Sequence, residues 1–280
     1  RIMTSQSTND SNDRIDHSLY VLQTNEQTNT LEPIAQLPNT EHPKKIGKDN
    51  EDIFAIRFLG DKAYVVTFER IDPLYVIDLS VADSPVIAGE LEIPGFSTYI
   101  HPLDENHILG IGEDATGRFD TPFDSITVTG STSEVTTDES PVDGGGLKFG
   151  IFNDSDISNP IEVQSLLLGN ERSWSQALYE HKAISMLKTS DTSFKLALPA
   201  TIYRNNAATG WTRWQYTGLE QGSIKAEQAT QTKFYQSYGS NGRGVIHGDN
   251  VFYVHGEYVW SALWQAPAEA TLEPSVVPAT

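Results

Sequence analysis

The stretch FLGDKAYVVTFERIDPLYVIDLSVADSP, residues 58–85, decides the fold. Its two apolar runs, KAYVVTF and LYVIDLS, are rich in β-branched and aromatic residues, the composition of buried strands. Gly60-Asp61, the segment ERIDP and the segment VADSP interrupt those runs with turn-forming residues. With DIFAIRFLG before it and VIAGELEIPG after it, residues 51–95 read as four short strands joined by turns, with no room for a helix. The plan returns over residues 96–169: TYIHPL, a break at DEN, HILGIGE, a polar insertion from about 113 to 146, LKFGIFN, a break at DSDISNP, and IEVQSLLLG. Asp78 and Pro85 of the first unit stand where Asn153 and Pro160 stand in the second. A proline lacks the ladder donor, so it suits the mouth of a strand that follows a turn.

Further units extend the pattern. Residues 172–230 carry HKAISMLK, FKLALPATIY, TRWQYTG and GSIKAEQA, a less regular set of four. Residues 16–40 read as the last two strands of a unit and residues 234–266 as the first three. Residues 1–15 read as a disordered or linker segment, and residues 267–280 as a C-terminal tail. Four strands per repeat of roughly 45 residues predicts an all-β chain, a β-propeller built of four-stranded antiparallel blades over residues 16–266 and part of a larger propeller. The shared spacing from Asp or Asn to Pro argues against an ordinary β-sandwich.

Composition narrows the partners. The chain has 280 residues, 38 of them acidic and 19 basic, for a formal charge of -19. Phosphate neutralisation needs Lys and Arg, so nucleic acid is excluded as a natural partner. There is no cysteine, hence no disulfide framework and no thiolate chemistry. No apolar run approaches the ~18 residues that span a bilayer as a helix.

The ordered motifs FAIRFLGDKAYVVTFERIDPLYVIDLS, GELEIPGFSTYIHPLDENHILGIGED, GLKFGIFNDSDISNP and SQALYEHKAISML resemble a secreted β-propeller family distantly related to WD-40 repeats. The resemblance covers residues 51–200 closely and 234–264 loosely. Where that family usually has LFDVSD, this chain has IFNDSD, so Asn153 replaces a turn-forming Asp. The resemblance implies the fold and a secreted or periplasmic location, and it supplies no catalytic residue. Members are usually far longer, which implies that a missing segment, another chain or self-association completes the ring.

In a four-stranded meander the connections from second to third strand, and from one blade to the next, fall on one face. Longer loops gather there, and loops on a rigid scaffold are where binding residues concentrate. That face is expected to present Glu69, Arg70 and Asp72 from FERIDP, and Glu171, Arg172 and Trp174 from GNERSW, as binding residues. The insertion adds hard oxygen donors of the kind calcium prefers, and Glu113, Asp114 and Asp120 are the candidate metal ligands. No EF-hand spacing accompanies them. The segment DSDIS, residues 154–158, reads as an Asx-type turn cap rather than a cation loop. His101, His107, His247 and His255 lie on or beside inner strands, where a shared axis would let imidazoles meet around zinc or copper. Satisfied turn and core histidines are the competing reading. The aromatic residues Trp174, Trp211, Trp214, Trp260 and Trp264 serve either blade packing or stacking on a sugar or protein. No nucleophile elbow or phosphate loop is present. These features predict a secreted, non-enzymatic binding scaffold for a protein or carbohydrate partner, with a divalent cation such as calcium as an optional ligand and a solvated Ser/Thr/Asp-rich loop as the competing reading of the insertion. The alternative is an extracellular enzyme acting on carbohydrate or another polymer through loop-face carboxylates such as Glu69 and Asp72.

Overall fold

A computed structural model of the chain describes residues 1–10, 13–68, 72–93, 95–114, 145–169, 173–191, 193–200, 202–204, 207–209, 212–217, 223–228, 242–255, 258–264 and 275–276. At residues 68, 72, 96, 202–228, 255, 258 and 275–276 the description is of backbone alone.

Strands β1 (Ile2–Ser7), β2 (Ile15–Asn25) and β3 (Thr30–Leu37) form a three-stranded antiparallel sheet in that order. Strands β4 (Asp52–Leu59), β5 (Lys62–Phe68), β6 (Asp72–Asp78) and β7 (Val86–Ile93) form the first four-stranded meander, and β8 (Phe96–Pro102), β9 (His107–Glu113), β10 (Leu147–Asn153) and β11 (Ile161–Leu168) the second. Two 3-10 turns, Gln176–Leu178 and His181–Ala183, precede β12 (Ser185–Ser190) and β13 (Ser193–Leu198). The small hairpin of β14 (Ile202–Arg204) and β15 (Ala207–Thr209) leaves that sheet before it resumes with β16 (Thr212–Thr217) and β17 (Ser223–Gln228). Strands β18 (Arg243–His247), β19 (Asn250–His255), β20 (Tyr258–Leu263) and β21 (Ser275–Val276) make the last four-stranded sheet. The repeating four-stranded plan read from the sequence is therefore the plan of the structure, and no α-helix occurs among the described residues.

Three expectations are corrected. Residues 1–15 are not all linker, because Ile2–Ser7 pairs with β2 from Ile2↔Tyr20 to Ser7↔Ile15. The segment IMTSQS has little apolar character, so its strand conformation comes from the ladder it makes with β2 rather than from its own pattern. The tail at 267–280 contains β21, which pairs Tyr258↔Val276 and Val259↔Ser275 with β20. The run FKLALPATIY divides into β13 and β14, since Pro199 has no N–H with which to continue the ladder.

The chain divides into two compact units, one of residues 1–110 with 152–162 and one of residues 111–151 with 163–280. In the first, the β4–β7 sheet buries both faces. One face puts Ala63, Val65 and Ile77 against Leu19, Val21 and Leu37 of the first sheet. The other puts Tyr64, Val66, Leu74 and Val76 against Ile100, Ile108 and Phe152. Double-sided burial explains why KAYVVTF is a continuous apolar run and not an alternation. Each such Val or Leu contributes about 1.5–3 kcal/mol by leaving water. At Gly89 the approach is so close that a Cβ would lie 2.3 Å from the Ile157 carbonyl oxygen and 2.8 Å from the Pro160 ring. The second unit holds its own cluster of Ala197, Val251, Ala262 and Trp264.

Candidate functional site

The connection from β3 to β4, residues 38–51, lies on the face where the sequence places the binding loops. This strap carries three lysines, Lys44, Lys45 and Lys48, alongside three acids, Glu41, Asp49 and Glu51, in a chain that is acidic as a whole. Ile46 anchors it in the core at 2 % exposure. Gly47 follows at φ +88°, a left-handed conformation that glycine adopts without steric cost, beside the His17 ring and the Thr67 methyl. The buried Glu51 carboxylate accepts from the Lys48 backbone N–H at 2.8 Å and the Thr67 hydroxyl at 2.5 Å. His17 Nε2 lies 2.7 Å from the Glu51 carbonyl, which only accepts, so Nε2 carries the proton and Nδ1 takes the Ser5 hydroxyl at 2.9 Å. Burial first, then the carboxylates of Glu51, Glu90 and Glu92, push the Tyr75 phenol far above its usual range. The strap lysines are held from outside: Lys44 by Glu90 at 2.7 Å, Lys45 by Asp13 and Asp16, and Lys48 by Glu92. The hydrogen bond to Glu92 raises the Lys48 ammonium pKa, against an opposing effect of burial. These polar groups satisfy one another and fix the strap.

A second group sits on inner strands of the first unit. Tyr99 and His101 share a face of β8, with the phenol oxygen 2.7 Å from His101 Nδ1 and ring centroids 5.9 Å apart. Burial, then the Arg57 guanidinium of β4, lowers the His101 pKa, so the ring is neutral at neutral pH. The phenol is held protonated by burial, so it and the neutral imidazole share one hydrogen bond whose donor follows the ring's tautomer, and Arg57 acts on both rings through its charge. His107 is elsewhere and differently engaged: its Nδ1 meets Asp104 at 2.9 Å and its Nε2 meets the Asn153 amide at 3.0 Å. His247 is exposed, and the His255 side chain is outside the described residues. The inner histidines described here thus act as separately bonded groups, and among the described residues no three His, Cys, Asp or Glu gather to hold a metal.

The loop-face candidates fare unequally. Glu69, Arg70, Asp120, Glu171 and Arg172 lie outside the described residues, as does the side chain of Asp72, whose backbone opens β6. Glu113 ends β9, and Asp114 follows it at 5 % exposure. The Asp114 carboxylate accepts the Gly145 N–H at 3.2 Å while its own N–H donates to the Gly146 carbonyl at 2.8 Å. Asp114 therefore closes the base of the insertion. Trp174 is 37 % exposed, and Tyr179, which the sequence reading passed over, is 79 % exposed. Between them Ser175 Oγ accepts from the Ala177 N–H and donates to the Pro199 carbonyl at 2.5 Å, which pins the connection that carries both aromatics. Trp260 and Trp264 are buried packing residues, and the side chains of Trp211 and Trp214 lie outside the described residues.

Comparison with known proteins bears on the fold. A family described as Beta propeller domain matches residues 1–266. An uncharacterised protein of Methanocaldococcus jannaschii is 34 % identical over 171 residues, which are 61 % of this chain and 21 % of that protein. An uncharacterised protein of Archaeoglobus fulgidus is 35 % identical over 134 residues, 48 % of this chain and 17 % of that protein. The aligned region thus spans about a fifth of the length of these curated relatives. The N-terminal domain of Nup159 aligns over 91 % of this chain and 70 % of its own, at 13 % identity and a TM-score of 0.22, too loose a superposition to bear on function.

Proposed function

Since the chain belongs to the beta propeller domain family, we propose that it is a non-enzymatic binding scaffold, working outside the cytoplasm, that presents its loop face to a protein or carbohydrate partner. One observation carries the reading: the connection from β11 to β12 offers Trp174 and Tyr179 to solvent, at 37 % and 79 % exposure, from a backbone pinned by Ser175. Aromatic faces on a fixed backbone bury large area at low entropic cost and stack on sugar rings or partner side chains. The resemblance to an exported family is what supports the location. A divalent cation held by Glu113, Asp114 and Asp120 belongs to the same reading, because hard oxygen donors suit calcium.

Binding of soluble polysaccharides and of basic proteins by calorimetry tests the reading. The double variant Trp174→Ala, Tyr179→Ala is expected to weaken binding by about 2 kcal/mol, roughly 30-fold, with the fold intact by circular dichroism. Unchanged affinity in that variant removes the aromatic platform. Turnover of a bound polysaccharide removes the non-enzymatic part and favours the loop-face carboxylates.

A further inference from the structure

Several basic side chains of the first unit each meet an acid: Arg1 meets Asp61, Lys44 meets Glu90, Lys48 meets Glu92 and Lys62 meets Asp154. Arg57 differs. Its exposed guanidinium makes no hydrogen bond or ion pair among the described residues. The chain has 38 acidic residues against 19 basic ones, so a guanidinium kept apart from carboxylates marks a local spot of positive potential.

Arg57 stands where two sheets of that unit meet. Ala55 of β4 and Ile100 of β8 share one buried cluster. Arg57 lies two residues beyond Ala55 on the same face of β4, opposite Tyr64 of that cluster. Tyr99 and His101 flank Ile100 on β8 and are half-buried. The Arg57 charge reaches both rings. At Tyr64 and Tyr75 burial is joined by nearby carboxylates, whereas at Tyr99 the charge that acts is that of Arg57. The two rings also hold a donor in reserve. The phenol carries one polar hydrogen and the neutral imidazole another, and one of the two is spent on their 2.7 Å bond. The second stays on Nε2 when the phenol donates, and on the phenol oxygen when Nδ1 donates. Either tautomer leaves one donor, which no other described group takes up.

We propose that Arg57, Tyr99 and His101 form a binding site for the carboxylate group of a small organic monocarboxylate. The planar guanidinium takes both oxygens in a two-point bond, and the reserved ring hydrogen goes to one of them. Half-burial of the rings keeps these bonds from full screening by water. A single charge suits the site better than a phosphate, because Arg57 balances one negative charge and a chain of formal charge -19 opposes a second. All three residues belong to the first unit and none to the platform of Trp174 and Tyr179, so this site and that one stand or fall separately.

The test titrates the 280-residue chain with sodium acetate, D-glucuronate and N-acetylglycinate in separate arms, each against sodium chloride at equal ionic strength, and follows the Arg57 Nε–H and His101 ring signals by NMR. The expected result is a saturable shift of both signals with a dissociation constant of about 1–10 mM, and the arm that binds tightest identifies the scaffold that bears the carboxylate. Arg57 is exposed, so its substitution leaves the core intact. Arg57→Gln is expected to weaken binding by about tenfold or more, and Arg57→Lys, which keeps the charge but loses the fork, by about threefold. Tyr99→Phe keeps the ring, removes its hydrogen bond to the imidazole, and is expected to weaken binding by about threefold. Shifts that stay linear to about 50 mM, an equal response to sodium chloride, or undiminished affinity in Arg57→Gln would overturn the proposal. So would saturable binding that leaves the His101 ring unmoved.

Discussion

At His101 the surroundings set the charge. Its pKa is lowered, by burial first and by Arg57 second, from the ordinary 6.5 of the unfolded chain. Below about pH 6.5 the unfolded chain therefore binds a proton that the folded ring still refuses, and stability falls as pH drops, levelling off beneath the folded pKa. In an NMR titration the His101 ring is expected to reach its midpoint below 6.5. His101→Gln is expected to lose less stability than the parent between pH 7 and 5 in urea unfolding. A ring midpoint at or above 6.5 would sink the assignment. The sequence offered His101 as one of several inner-strand histidines, and there its information ended, because Arg57 and Tyr99 are brought beside it by sheet neighbours and not by spacing alone. Gly89 makes the same point: nothing in VIAGELEIPG says that a carbonyl 68 residues away occupies the space of its missing Cβ.

At the scale of the strand and turn, much was legible. The Asp78–Pro85 and Asn153–Pro160 spacings mark equivalent turns, and both side chains do cap them. The next residue in each repeat has a second constant role. Leu79, Asp154 and Trp264 each donate a backbone N–H to the turn between the first and second strands of their sheet, at Asp61, Asn106 and Asp249, over 2.7–2.9 Å. All three are buried, at 1 %, 1 % and 2 % exposure. Position three of the preceding sheet's second strand reaches this residue in both units: Tyr64 donates to Asp154 at 2.5 Å, and Lys195 lies 5.1 Å over the Trp264 ring. Asp154 is the charged exception. It also meets Lys62 at 2.8 Å, and its Oδ1 has no hydrogen-bond partner among the described residues. Burial and then Asp154 push the Tyr64 phenol far up. Reading DSDIS as a turn cap agrees with Asp156, whose side chain accepts the Ser158 N–H at 3.0 Å, but missed that Asp154 points inward, since its partners lie 90 and 92 residues away. Asp154→Ala is expected to cost about 2–4 kcal/mol, because it strands a buried phenol and a Lys62 that is only partly able to reach water. Asp154→Leu, matching Leu79, is expected to cost less, and Tyr64→Phe about 1 kcal/mol. Denaturant midpoints at constant slope measure all three, and a parent-like midpoint for Asp154→Ala would mean that the ion pair gives no net stability.

For the molecule as a whole, charge and the insertion act together. A formal charge of -19 raises the energy of any compact state, and screening relieves it. The lysine strap works in the opposite sense, since Lys44, Lys45 and Lys48 lose attraction as salt rises. These are exposed pairs of small individual worth, so the excess of 38 acids over 19 bases decides the sign. Thermal unfolding is expected to shift upward as sodium chloride rises from about 20 to about 300 mM, a range over which the Debye length falls from roughly 20 Å to 6 Å. The same titration gives the baseline against which calcium must be judged. If Glu113, Asp114 and Asp120 bind calcium at the millimolar strength of extracellular sites, about 5 mM calcium over a dissociation constant near 0.5 mM adds roughly 1.4 kcal/mol, a few degrees at constant ionic strength. Asp120→Asn is expected to abolish that increment while leaving the sodium chloride shift in place. It separates the two effects better than a change at Asp114, whose carboxylate also holds Gly145. A calcium shift no larger than that of sodium chloride at equal ionic strength would leave Glu113, Asp114 and Asp120 as solvated acids and Asp114 as a turn cap alone.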